Sequence, residues 1–567
     1  MWRHAVQSST NSPPSTPTQT GAEVKAGKVY VNNGFWDTYR TTWPAYSLLT
    51  PKLAGEMVDG FVQQYRDGGW ISRWSSPGYA NLMVGTSSDV AFADAYLKGV
   101  KGFDLEDAYA AAVKNASVAP PNDSVGRKGL TTSIFKGYTP SDATGEAMSW
   151  AMDGYINDYG IANMAQALGR TEEATYYRQR ALNYVNQFDS SVDFFQGRDS
   201  AGQWRWTPGQ YDPEVWGYDY TETNGWNMAF HVPQDGQGLA NLYGGRDELA
   251  DKLDTFFSTP ETGLKFGSYG GVIHEMTEAR DVRMGQYGHS NQPSHHIPWM
   301  YTFTGQPSKT QALTREIVDR LYLGSEIGQG YPGDEDNGEM SAWYVFAALG
   351  FYPLQMGSAN YVIGSPLFTK ATINLDSGRK VVIRASGNSP KNVYVQSLKV
   401  NGRAWNSTTL PHSVLAGGAT LDFTMGAKPS KWATGPKAVP PSLTRGSEVA
   451  NPQKDVTGTV TTAALADDSS ATPATVTTQE WTLPAAAEVG QYTITSAAAA
   501  GADPAGWKLL GSTDGATWTT LDTRAEQAFP WRRQTRPFTV ASPGAYTHYR
   551  LEFTGPATVA ELELLAS

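Results

Sequence analysis

Two acidic clusters carry the residue types that could do chemistry. One is Tyr220-Thr221-Glu222-Thr223-Asn224-Gly225-Trp226 and the other Gly333-Asp334-Glu335-Asp336-Asn337-Gly338. Each sets carboxylates beside glycine, which bends the backbone, and the first adds aromatic side chains. Hydrolysis of a glycosidic bond needs this inventory. One carboxylic acid protonates the leaving oxygen, while another carboxylate activates water or attacks. Aromatic faces exclude water around the acid, which raises its pKa. A third cluster lies between them, His289-Ser290-Asn291-Gln292-Pro293-Ser294-His295-His296, and half of the eight histidines fall between 274 and 296.

The elements that must position these clusters follow from length and patterning. A chain of 567 residues exceeds one core, so several domains are expected. A net charge of −11 argues against nucleic acid, whose phosphates need a basic surface. It permits a neutral sugar or a cation. Without cysteine there is no disulfide framework, thiolate metal site or cysteine nucleophile. Aromatic residues reach 12% and many sit beside Gly, Asp and Asn, which suits a carbohydrate site as well as a large core. No apolar run is long enough to span a bilayer, and the first 22 residues lack the apolar stretch of a signal peptide. Ser8 to Gly21, rich in Ser, Thr and Pro, reads as disordered.

From about 36 to 352 the spacing predicts amphipathic helices over 51–67, 88–100, 105–115, 145–169, 171–188, 235–258, 308–322 and 340–350, with Gly169 as a cap. Helices paired by short turns suggest a helical barrel with function on the loops at one end. Beyond Phe351, strand-like runs at 361–363, 371–375, 380–384, 393–395 and 420–423 predict a β-sandwich segment over 353–432. Residues 433–446 read as a linker. Residues 447–567 are again β-rich. Gly511-Ser512-Thr513-Asp514-Gly515-Ala516-Thr517-Trp518 and Tyr549-Arg550-Leu551 give this stretch a resemblance to discoidin, or coagulation factor 5/8 type C, jelly-roll modules, in which sugar binding is common.

The helical region resembles glycoside hydrolase family 92, the calcium-dependent exo-acting α-mannosidases. The matching pieces run in order: Phe35-Trp36-Asp37-Thr38-Tyr39-Arg40-Thr41, Met83-Val84-Gly85 with Ala93-Asp94-Ala95-Tyr96, Asp158 with Ile161-Ala162, and Tyr220-Thr221-Glu222. They continue with Phe230-His231-Val232-Pro233 and Asp235, Asn291-Gln292-Pro293-Ser294-His295-His296, Gly338-Glu339-Met340-Ser341-Ala342-Trp343-Tyr344, and Gly364-Ser365-Pro366-Leu367-Phe368. Together they cover roughly residues 29 to 430 and imply a mainly α, multidomain fold: an (α/α)6 barrel over 29–352, then the β-sandwich segment and the C-terminal jelly-roll.

The resemblance implies inversion at the anomeric carbon, with Glu222 as general acid and Asp334 or Asp336 on the loop that supplies the general base. An extended loop would point Asp334 and Asp336 one way and Glu335 the other. The resemblance further implies that Trp36 and Asp37 line the terminal-mannose subsite, and that His274-Glu275 marks α-1,2-linked substrates by contacting the next sugar. His295 is expected at the sugar. Calcium prefers carboxylate, amide and carbonyl oxygen, which Asn291, Gln292 and nearby Glu278 offer. The histidines admit zinc, but their spacing would not group all three, which favours core or sugar-bonding roles. Four features depart from the family pattern. Ser87 and Gln234 stand where His is usual, and Gln292 stands where Glu is more frequent. The large β-sandwich that normally precedes the Trp-Asp segment is replaced by the lead over 1–28, so truncation is expected. The implied partner is a mannose-containing glycan, on N-glycans or mannan, cut by a secreted or cell-surface monomer. Two alternatives stay open: hydrolysis of mannosyl phosphodiester caps, and a catalytically dead mannan-binding protein.

Overall fold

The computed structural model describes residues 6–8, 27–323 and 330–566. Most of the Ser/Thr/Pro tract lies outside the described residues. Val6–Ser8, however, is a strand paired antiparallel with Lys28–Tyr30, so the lead is not irregular throughout.

Apolar side chains recurring every three or four residues fold the first half of the chain into helices. Helix α1 (Thr42–Leu49) and helix α2 (Pro51–Gly68) pack around buried Trp43 and Phe61, whose rings meet edge to face at 6.1 Å. Pro51 opens α2, where its missing N–H costs nothing, and Gly69 at φ +83 closes it. Next come α3 (Ser88–Leu97) and α4 (Leu105–Ser117); the Asp104 side chain caps α4 by accepting the Asp107 N–H at 3.0 Å. After α5 (Leu130–Lys136), helix α6 (Ala147–Ala167) is buried on nearly every side, as a central helix must be. Gly169, at φ +73, follows its end as expected and leads into α7 (Thr171–Arg180). The helix expected over 171–188 stops at Arg180 and continues only as a 3-10 turn, Asn183–Gln187.

The helix expected over 235–258 is two, α8 (Gly236–Leu242) and α9 (Arg246–Ser258). Gly244 and Gly245, at φ +101 and +150, break it. Further helices are α10 (His274–Val282), α11 (Tyr301–Thr304), α12 (Pro307–Leu321) and α13 (Glu339–Leu349), with short helical turns at Phe35–Thr38, Gly225–Met228 and His412–Ala416. Helix α13 packs back on α1, so the end of the helical region meets its start.

The strand-like runs beyond α13 form two sheets. One has the order Lys370–Asn374, Lys380–Ser386, Ala419–Gly426, Tyr394–Val400, Arg403–Ala404, with alternate residues such as Val381, Ile383 and Ala385 buried. The other joins Thr409–Pro411, Asn360–Ile363 and Phe351–Tyr352, and its Phe351 and Tyr361 share a core with Trp343 of α13. The stretch read as a linker is tied down along its length. Thr444 donates its N–H (2.9 Å) and its hydroxyl (2.6 Å) to Asp235, and the Pro441 and Gly446 carbonyls accept from Gln355 and Asn241.

The C-terminal module is a seven-stranded sheet built on two long strands, Ala474–Ser496 and Ala545–Ala566, around Trp481, Tyr492, Trp507 and Phe538. It is docked on the helices. Glu172 of α7 accepts from Arg524 (2.7 Å) and from the Thr539 N–H (3.0 Å), and Leu565 enters the helical core.

Asp235 is the clearest test of this arrangement. It is fully buried and accepts from Tyr184, Gly238 and both donors of Thr444. Asp235→Ala should cost about 3 kcal/mol in urea unfolding, because it strands buried donors at both α8 and the strap. A loss under about 1 kcal/mol would show that the strap is not held through this carboxylate.

Candidate active site

Asn291 and Gln292 bring the two acidic clusters together. The Asn291 amide donates to the Glu222 carboxylate at 3.0 Å and to the Glu222 carbonyl at 3.2 Å. The next residue, Gln292, donates to the Asp336 carboxylate. Asn291 is extended, at φ −138 and ψ 150, so the side chains of 291 and 292 diverge. They bring Glu222 and Asp336 to one segment, close enough for the Asp336 charge to be felt at Glu222. The acidic loop is seated on this segment at Gly333, φ +75, where a Cβ would stand 2.3 Å from the Ser290 carbonyl oxygen. Only glycine permits that approach.

The loop is not extended, so the expected alternation fails. Asp336 and Asn337 take left-handed backbone conformations, φ +55 and +57, and turn the chain into α13. Glu335 is spent on that turn, accepting from Gly338 N–H (2.7 Å), Ser341 N–H (3.1 Å) and Ser341 Oγ (2.6 Å). Asp334 is exposed, and Asp336 is the carboxylate that faces Gln292. Glu222 also sits at a positive φ, +50, as do Glu146 and Met83 nearby, both at +54. Such conformations cost roughly 1–3 kcal/mol each and persist where surroundings dictate them. For Glu222 the fixing contact is its own N–H, which donates to Tyr269 Oη at 2.6 Å.

Electrostatics set the protonation states. Burial pushes Glu222 up to about 7, with Glu275, Asp336 and Glu146 adding to the rise and the Asn291 hydrogen bond opposing it. Burial likewise lifts Asp336 to about 6, against the Gln292 hydrogen bond. Asp37 rises well above the carboxylate range, through burial first and then through the fields of Asp336 and Glu222. That field places Asp37 in the same constellation, and its buried Oδ2 has no partner.

Trp36, beside Asp37, packs with Val84 and Trp150 and donates to Asp153 at 3.1 Å. Asp153 in turn meets His231 at 2.8 Å, so three of the sequence motifs converge here. A cleft of about 730 Å³ lined by Met83, Lys128, Glu146 and Trp150 adjoins them. His274 opens α10 on the surface, its two nitrogens 3.0 and 3.2 Å from Glu275 and Glu278. Burial lowers its pKa, but Glu275, Glu278 and Asp334 more than offset this and hold it above its ordinary value.

His295, expected at the sugar, has both ring nitrogens engaged by the protein. It is fully buried, its Nδ1 lies 3.1 Å from Glu339 and its Nε2 3.0 Å from the His289 carbonyl. Both nitrogens are thus engaged, and Glu339 is further tied to Thr41 at 2.5 Å. His289 is held by Tyr287 and Tyr322, and His296 by the Phe230 carbonyl. For a hard cation, two of the expected ligands have free oxygens: Gln292 Oε1 and Glu278 Oε2 are buried without partners. Asn291 lies beside Gln292, but among the described residues no hydrogen bond joins Glu278 to either amide, because its other oxygen is taken by His274. Among the described residues no group of three or more His, Asp or Glu forms a cage. Sequence reasoning missed Glu146, Asp153 and Tyr269, whose parts arise only from contacts across the fold.

Residues 7–427 match the family model described as the glycosyl hydrolase family 92 catalytic domain. The chain belongs to glycosyl hydrolase family 92. A solved inverting family 92 mannosidase of Bacteroides thetaiotaomicron is 36% identical, over 76% of this chain and 57% of that one, with a TM-score of 0.68. A family 92 α-mannosidase of the same bacterium, solved with mannoimidazole, is 31% identical over 76% and 56% of the two chains, TM-score 0.68. A curated relative from Arthroderma benhamiae, described as an uncharacterized secreted glycosidase, is 28% identical over 64% of this chain and 47% of its own length. The chain therefore spans about half the length of the relatives it matches.

The family 92 site makes a measurable electrostatic claim. Carbon-detected NMR titration of labelled carboxylates should find Asp336 near 6 and Glu222 near 7. Asn291→Ala should move Glu222 higher, since the amide donates to its charged form. An unchanged or lower value would remove Asn291 from contact with Glu222.

Proposed function

We propose that this protein is an exo-acting, inverting α-mannosidase that removes terminal mannose, α-1,2-linked, from N-glycans or mannan. The observation that carries the reading is the divergent amide pair. Asn291 bonds the Glu222 carboxylate and Gln292 the Asp336 carboxylate, with Glu222 raised to about 7. Family membership supports it, as do relatives described as an inverting mannosidase and as an α-mannosidase solved with mannoimidazole. The ring of helices, read as an (α/α)6 barrel, presents the loops from one end. A secreted or cell-surface location belongs to the same proposal, supported by the relative described as secreted.

In this mechanism Glu222 is protonated near neutral pH and gives its proton to the departing glycosidic oxygen. Asp336, ionised above about pH 6, takes a proton from water on the opposite side of the sugar, with Asp334 as a neighbouring carboxylate. Water attacks opposite the leaving group, so an α-linkage yields β-mannose. Trp36 packs beneath the terminal ring and Asp37 bonds its hydroxyls. His274 and Glu275 hold the next sugar, which explains the α-1,2 preference. His295 is a positioning residue that acts through Glu339. Asn291, Gln292 and Glu278 are the oxygens proposed to hold calcium, which when bound would contact sugar hydroxyls and favour ring distortion.

Two measurements test this. The kcat/KM profile should be a bell, with limbs near 6 from Asp336 and near 7 from Glu222. Glu222→Gln should remove the alkaline limb and slow mannobiose hydrolysis by about 10²–10⁴, but an activated dinitrophenyl mannoside by less than about tenfold. Equal losses on both substrates would take Glu222 out of the acid role.

For calcium, chelation should abolish activity, and calcium rather than zinc should restore it. Terbium luminescence should show a site that weakens about tenfold or more in Gln292→Ala. Full activity after exhaustive chelation would defeat the assignment.

A further inference from the structure

Tyr218 is an aromatic residue that is 38% exposed and held at φ +57. A bulky side chain in the left-handed region is a rare and costly conformation. Its backbone is pinned on both sides: its N–H donates to Ser268 Oγ at 2.6 Å, and its carbonyl accepts the Glu146 N–H at 3.2 Å. The ring is fixed as well. Trp206 meets it edge to face at 5.4 Å, and the Arg205 guanidinium lies 6.0 Å from its centroid. Arg205 is locked in turn by two bonds to Asp219, at 2.5 and 2.7 Å. Gly267 lies against the ring, where a Cβ would stand 3.0 Å from Cε2. A ring so constrained and yet left in water is organised for a contact the isolated chain does not make.

Its place in the fold says which contact. Residues 216 to 224 form one closed loop, bracketed by the Trp216–Asn224 bridge and by the Gly217 N–H to the Thr223 carbonyl at 3.1 Å. Tyr218 and Glu222 sit on opposite arms of that loop. Tyr269, which accepts the Glu222 N–H, follows Ser268, which accepts the Tyr218 N–H. The segment that follows carries two further exposed apolar side chains, Phe266, 39% exposed, and Val272, two residues before His274. A group that protonates the leaving oxygen faces the departing sugars, so what lies next on the Glu222 loop faces them too.

We propose that Tyr218, braced by Trp206, is a stacking platform for a distal mannose of a longer glycan, beyond the sugar held by His274 and Glu275. The proposal rests on the α-mannosidase reading and deepens it by assigning a preference for substrates of three or more units. The C–H face of mannose is apolar and matches an aromatic face in water. The ring, already fixed, loses little freedom on binding.

Tyr218→Gly tests this cleanly, because glycine adopts the left-handed conformation without strain and so keeps the loop while deleting the ring. Tyr218→Phe keeps the platform. In Tyr218→Gly, KM for mannotriose and mannotetraose should rise about tenfold, while KM for mannobiose changes by less than about twofold and kcat is preserved for all. Tyr218→Phe should match the wild type. Equal changes for mannobiose and longer glycans, or no change at all, would overturn the platform. The α-mannosidase reading is judged separately, by whether the wild-type protein releases mannose from mannobiose. Saturation-transfer NMR with mannotriose reads the platform without turnover. Its distal unit should lose signal in Tyr218→Gly, and an unchanged signal would overturn the proposal.

Discussion

Two consecutive side-chain amides, Asn291 and Gln292, are the joint on which the site depends. One reaches the Glu222 carboxylate and the other the Asp336 carboxylate, and the extended backbone between them forces the two apart. Each carboxylate comes from a different part of the chain, so nothing local could set their separation. Both amide bonds favour the charged forms and therefore oppose burial, which lifts both groups. The outcome is an acid that keeps its proton near neutrality and a neighbour that gives its proton up at lower pH.

The rest of the fold fixes that joint from behind. Gly333 lets the acidic loop touch Ser290, and Glu335 caps the helix that follows. The same helix begins with Glu339, which ties His295 to Thr41 and so links α13 to the first-motif segment of Trp36 and Asp37. On the other side, Tyr269 and Glu146 hold the Glu222 loop in a backbone conformation it would not choose. Strain at Glu222 and Asp336 is thus sustained by contacts that the packing of the helices makes possible.

Much of this was legible in the sequence because it follows from local periodicity. The helices α2, α4, α6 and α12 and the strands beyond Phe351 start and stop within a few residues of where apolar spacing puts them. The candidate acid, its amide partner and the acidic loop were visible as clusters of residue types. What was not legible depended on backbone reversals and long-range contacts. Alternation at Asp334, Glu335 and Asp336 presumes a strand, yet positive φ at Asp336 turns the loop and gives Glu335 to a cap. His295 looked available for a sugar until Glu339 and the His289 carbonyl took both nitrogens. The stretch around Pro440 read as a free linker because proline content says nothing of Asp235, more than 200 residues away, which holds Thr444.

The central claim is that Glu222 and Asp336 act from opposite sides of the sugar, with water between them rather than a covalent bond to either. Proton NMR of the first mannose released from mannobiose, recorded before mutarotation, tests it most directly. The account predicts the β-anomer as the initial product, with the α-anomer growing in only as the sugar equilibrates. Initial release of α-mannose would contradict it, because one carboxylate would then be a nucleophile.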